Sequence, residues 1–366
     1  MNPPAKRVKL MDGSSTSNIP PDAHTLEDAL QHGKPSVSDL KHHDVLWYED
    51  GSIVLATDVH LYCVHKSILA SNSTVFKDML TMPMNTEGII DSQGTHMDKE
   101  EDIYEGKPVV RMFGDSDENV YHLLMTLYDR NFFRAGKRTT ASIALSLLVM
   151  SSKYDVPVIR TEIIEHLKRY YSCNFTNPYE LELKDLFCGS KSSDGRANNF
   201  DGEEFTFLLL DAALRTSTLS LLPAIYYECA VLPLGKILSL SRKLSFEPEV
   251  VEKIMHGRER LSKLSYLFGA NTLHPQVKCA YPACLEMRTE LFFNWINCLS
   301  YKHPEFPKKL VSGGFASIAG TTEMGGKMCP RCIGKAGVAV VEYAATFWSS
   351  LPTVFGLGDW ANLNRD

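Results

Sequence analysis

The sequence predicts an α+β protein: a small sheet capped by helices, followed by a mainly α-helical C-terminal region. Three observations predict it. Short β-type runs are confined to the stretch between residues 44 and 112. The apolar period changes from strand-like to helical directly after residue 64. Beyond Asn177 the spacing is almost wholly helical, with no repeat of fixed period.

In chain order, residues 1–38 are rich in Pro, Ser, Asp and Asn and read as a disordered arm. Residues 44–48 read as a strand, residues 49–52 as a turn and residues 53–56 as a second strand, so the pair is expected to form a hairpin. Residues 59–64 alternate and form the next strand. Two short helices follow over 65–70 and 73–80, with Ser73 as N-cap of the second. Residues 83–107 are polar, acidic and glycine-containing, too long for a tight turn, and are read as an insertion. Residues 108–112 make another strand. Acids at 115–118 then open a helix to Leu127, where the helix dipole favours them. Ile143, Leu147, Met150 and Tyr154 share one helical face, Pro157 ends that helix, and Ile159, Ile163, Leu167 and Tyr171 mark the next. A Ser/Gly/Asn/Asp-rich loop covers 189–202, followed by apolar helices near 204–215, 219–230, 248–268 and 335–351.

Composition limits the function classes. A chain of 366 residues, 44% hydrophobic and 22% charged, is an ordinary globular mixture, and at this length one core usually gives way to two. A net charge of −6 leaves no global basic field, so nucleic acid is not an expected partner. No apolar run reaches bilayer length, and the N-terminus lacks the apolar core of a secretory signal. The expectation is an intracellular protein of the nucleus, the cytoplasm or both. In that compartment thiols stay reduced, and nine cysteines cannot all pair, which leaves core residues, metal ligands or redox groups.

The motif residues carry a resemblance. His65, Lys66, Leu69, Ala70, Ser73 and Phe76 fit an H-(K/R)-x-x-L-A-x-x-S-x-x-F pattern without a gap. With Asp44-Val45 before it and Leu123, Leu124 and Tyr128 after it, this stretch resembles the BTB/POZ family over residues 39–172. The long acidic insertion, the run 348–352, Phe355-Gly356-Leu357 and Trp360 are similar to BTB proteins of mushroom-forming fungi. The resemblance implies a sheet capped by helices and no chemistry of its own. It implies self-association as a homodimer, protein partners, and docking to a cullin-type ligase scaffold. It also implies a charged pocket at Asp44 and Lys66. Read from the residues, His65 is a corner-packing residue rather than a catalytic base, and Leu69, Phe76 and Leu80 are core.

Two further motifs stand apart. Lys6, Arg7 and Lys9 place three cations in four residues on the arm and resemble the short nuclear localisation signal of the Myc proteins. Cys279 and Cys284 form a C-x4-C pair, and Cys329 and Cys332 form a Cys-Pro-x-Cys pair ahead of a helix. Amides in such a turn point at the sulfurs, and a helix N-terminus favours thiolate, so two pairs suit tetrahedral zinc. The gap of 44 residues between Cys284 and Cys329 exceeds the usual zinc-ribbon spacing, with Cys298, His274 and His303 as substitute ligands. Structural zinc, ordinary thiols and redox chemistry all stand as readings. Residues 320–327 fail as a phosphate loop because Met328 replaces the Ser/Thr that would hold magnesium. No other catalytic signature is present. The expected function is therefore a non-enzymatic interaction adaptor. The alternatives are a nuclear regulator with a zinc-stabilised nucleic-acid-binding C-terminal region, and a thiol oxidoreductase using Cys329 and Cys332.

Overall fold

The computed structural model describes residues 36–81, 103–171, 181–189, 200–273, 279–301 and 328–363. The basic motif at Lys6, Arg7 and Lys9 lies outside these residues, as do His274, His303 and the side chain of Cys298.

The first half holds a five-stranded mixed sheet. Its strands are β1 (Lys41–Trp47), β2 (Ile53–Ala56) and β3 (His60–Val64), then, after helices α1 (Lys66–Asn72) and α2 (Thr74–Thr81), β4 (Ile103–Tyr104) and β5 (Lys107–Arg111). The spatial order is β1-β3-β2-β5-β4. This corrects the expected hairpin. The turn at 49–52 forms, with Gly51 N donating to Tyr48 O at 3.0 Å, but it does not join paired strands. β1 instead runs parallel to β3, and the hairpin is β2 with β3. The reason is that β2 is buried along its whole length, with β3 on one edge and β5 on the other, so only the free edge of β3 is open to β1. A side chain at Gly51 would meet Cys63 Sγ at 2.5 Å, so only glycine lets the turn lie this close to β3.

The sheet is covered on both faces. Ile53, Leu55, Tyr62 and Val64 point into the large core, while Val54, Ala56, Leu61 and Cys63 point into a small second cluster. The alternation read in residues 59–64 is thus a strand buried on both sides. Val37, in a short 3-10 turn over Val37–Asp39, helps close the second cluster, so order starts within what was read as the arm. The insertion is corrected at its end as well, where β4 pairs antiparallel with β5.

The helices follow as α3 (Asp117–Tyr128), α4 (Ala141–Lys153) after a two-residue β6 (Thr139–Thr140), and α5 (Pro157–Lys168). Ser116 caps α3 and Thr140 caps α4 through their side chains, satisfying amides that a helix start leaves free. Then come α6 (Leu183–Leu186), β7 (Phe187–Cys188), α7 (Gly202–Arg215), α8 (Leu222–Ala230), α9 (Leu234–Lys243), α10 (Pro248–Phe268), α11 (Pro282–Tyr301), α12 (Pro330–Val354) and α13 (Trp360–Leu363). Helix α12 runs past the expected stop at Leu351 and keeps Pro352 inside it.

One buried cluster runs from Leu46 to Phe355 and so crosses residue 172 without a break. The seam is built by β6 pairing with β7 and α4 packing on α7. At its centre His166 is fully buried; its Nδ1 accepts from Gly136 N at 2.9 Å, and the rings of Phe133 and Phe187 lie edge-on to it. Burial, followed by the nearby Arg169 cation, lowers this histidine to about 4, so it is neutral at ordinary pH. At the far end Phe355 is keyed against α10. A side chain at Gly257 would come within 2.0 Å of the Phe355 ring, so the helix carries a glycine notch there despite the helix-propensity cost of about 1 kcal/mol.

Candidate metal centre

Four cysteines from two distant segments meet. Cys279 and Cys284 flank the start of α11, and Cys329 and Cys332 flank the start of α12. Each helix opens on proline, Pro282 and Pro330, which suits the first helical position because its missing N–H has no intrahelical partner there. Cys329 is the N-cap of α12, and Cys332 lies in its first turn. All four Sγ atoms lie within 4.8 Å of one another and could together hold a metal ion. Cys279 Sγ and Cys329 Sγ are 3.8 Å apart. That is far longer than a disulfide bond of about 2.05 Å. It equals the edge of a tetrahedron with metal–sulfur bonds of about 2.3 Å, which is about 3.8 Å.

Backbone amides point at these sulfurs. Cys329 N donates to Cys284 Sγ at 3.1 Å, and Tyr281 N donates to Cys279 Sγ at 3.5 Å. The Cys332 N–H is the main reason the Cys329 thiol is held down to about 7, against the upward push of burial. Burial pushes Cys332 up to about 12. Without a cation, then, the cluster gives up a proton readily at Cys329 and holds it at Cys332. A bound dication offsets the repulsion among thiolates that keeps the remaining protons on.

The remaining motif residues sit elsewhere, in the first half. His65 stands at the N-cap position of α1 without capping it. Its Nδ1 is 3.1 Å from Tyr128 Oη, its Nε2 is 3.2 Å from Asp50, and its backbone N donates to Tyr128 Oη at 2.8 Å. Ser73 Oγ accepts from Phe76 N at 2.9 Å and donates to Tyr154 O, tying α2 to the end of α4. Phe76 stacks on Tyr154 with centroids 4.6 Å apart. Leu69 is fully buried, Ala70 half-buried, and Leu80 packs on the core from its edge. Asp44 is exposed on edge strand β1, no ion pair joins it to Lys66 among the described residues, and Lys66 N donates to Ser52 Oγ at 2.9 Å. In the parallel pairing of β1 with β3, Trp47 sits opposite Cys63.

Sequence reading missed two features. Asp117 accepts from Thr57, His60 and Tyr62, tying α3 to the β2–β3 corner. Burial alone would raise its carboxyl, but these donors hold it below its usual value. No local spacing links those positions. The other is Arg288, one helical turn after Cys284, whose signal in the sequence was that i, i+4 spacing. No family model, curated protein or solved structure matches the chain. No helix of the described residues is long and apolar enough to cross a membrane.

Proposed function

We propose that the chain is a protein–protein interaction adaptor of the BTB/POZ type, self-associating and without catalytic activity, whose helical second half is clamped by a structural zinc ion. The observation that carries the adaptor reading is how the motif residues are used. His65, Ser73 and Phe76 are spent on Tyr128, Tyr154 and the core. Among the described residues β1 is the outermost strand of the sheet, and its edge is offered to other polypeptides. Val45, 58% exposed on that edge strand, is the apolar residue offered there. Sedimentation velocity of the full chain over a wide concentration range is the test. A dimer is expected, with Val45→Arg weakening it at least about tenfold. A monomer at every concentration ends the self-association reading.

Zinc follows from the donor set. Four sulfurs within 4.8 Å of one another suit a borderline-soft d10 cation and would close its coordination, leaving no position for a substrate. Metal analysis of protein purified without chelator is expected to give about one equivalent of zinc. Less than about a tenth of an equivalent would end the proposal.

A second reading, thiol oxidoreductase, is favoured by one observation, the lowered Cys329 thiol beside Cys332. Insulin reduction that disappears in Cys329→Ala would favour it over the clamp.

A further inference from the structure

The stripe on α11 that carries Cys284 also buries Met287 and Arg288. Arg288 is only 4% exposed, and its Nε and Nη1 atoms are buried without a hydrogen-bond partner. A guanidinium is always charged, and a buried cation without a counter-charge is strongly unfavourable. The acids nearest on the helix do not serve it, because Glu286 and Glu290 are exposed on other faces. What lies one turn back is Cys284. Residues at i and i+4 share a helix face and side chains lean toward the helix N-terminus, so Arg288 and Cys284 lie on one buried stripe, a turn apart. Four neutral thiols would give the guanidinium nothing to balance. A dication held by four thiolates carries a net charge of −2, in a site whose other polar contacts are backbone amides.

We propose that Arg288 is the counter-charge of a metal–tetrathiolate centre, donating N–H···S hydrogen bonds to the Cys284 thiolate once the metal is bound. This rests on the metal reading of the four cysteines. Arg288 is a positioning residue: it touches a ligand and not the metal. It makes the centre one that favours ionised cysteines around a divalent cation, since the net −2 of that set more than offsets the single guanidinium charge, whereas neutral thiols leave it unbalanced. Groups that hydrogen-bond to metal ligands typically change metal affinity about 10–100-fold.

The test uses the full chain, stripped of metal and titrated with zinc against a chromophoric chelator, for wild type, Arg288→Lys and Arg288→Met. Zinc affinity is expected to fall at least about tenfold in Arg288→Met and to be largely recovered in Arg288→Lys, which keeps the charge but not the planar fork. The metal-free Arg288→Met protein is expected to melt no lower than metal-free wild type, because an unbalanced buried charge has been removed. A merely structural arginine gives the opposite pattern, with both forms destabilised alike and zinc affinity unchanged. Cobalt(II) loading adds a spectroscopic readout, since the sulfur-to-cobalt charge-transfer band is expected to shift in Arg288→Met. Zinc affinity within about twofold of wild type in Arg288→Met overturns the role of Arg288 and leaves the centre intact. Wild type that takes up neither zinc nor cobalt overturns the centre itself, and the inference with it. If Arg288→Met does not fold, Arg288→Gln carries the same expected loss.

Discussion

The sheet-bearing first half and the helical set α10, α11 and α12 face the same problem of fixing helices in place, and they meet it with different chemistry. In the first half, helices α1 to α4 are fixed by buried apolar contacts and by hydrogen bonds, among them those to the Asp117 carboxylate. Phe76 lies on Tyr154, Ser73 bridges two helices, and Tyr128 holds the corner at His65. Around α11 and α12 backbone amides point at four clustered sulfurs, and a buried guanidinium has two nitrogens without a hydrogen-bond partner. A packed core loses a fraction of its cohesion for each methyl removed, whereas a coordination site loses nearly everything with one ligand. The comparison teaches that the first half should respond to substitution in degrees and the clamp all at once.

The sharpest way to break this contrast is Cys332→Ser. It is expected to abolish stoichiometric zinc and to collapse hydrogen-exchange protection in α11 and α12, leaving β2 and β3 protected. Equal loss in both regions would show that the two are not separately held. In the first half, Phe76→Ala is expected to destabilise by about 3–5 kcal/mol in denaturant unfolding, without changing zinc content. Between the two lies His166. Its folded pKa is lowered to about 4, so between that value and 6.5 the unfolded chain binds the extra proton and stability rises with pH. The contribution is complete above pH 6.5 and is lost as pH falls toward 4, amounting to about 3 kcal/mol. His166→Gln should flatten that slope in thermal melts taken across this range. The smallest effect is Ser73→Ala, which removes an N-cap and one interhelical hydrogen bond and should cost about 1–2 kcal/mol.

What the sequence made legible was local. The spacing from His65 to Phe76 placed two helices, the cap at Ser73 and the buried face at Leu69 and Phe76, because each depends on neighbours within one or two turns. The two cysteine pairs were legible for the same reason, since each is a short turn before a helix. Non-local pairing was not legible. Nothing in residues 41–47 distinguishes a strand that turns back on β2 from one that skips it and lies parallel to β3; burial of β2 on both edges decides that. Helix α9 was passed over because Gly235 and its neighbouring polar residues blur the apolar period. The cluster at Asp117 and the seam at His166 each join residues far apart in the chain, which no periodicity encodes.

The glycine notch in α10 bears on how the protein is made. Gly257 leaves the ribosome well before Phe355, the ring that fills the notch. Through that interval α10 presents an apolar groove with no occupant, a surface that chaperones recognise and that invites aggregation. The second half therefore reaches its final packing only after Phe355 has emerged.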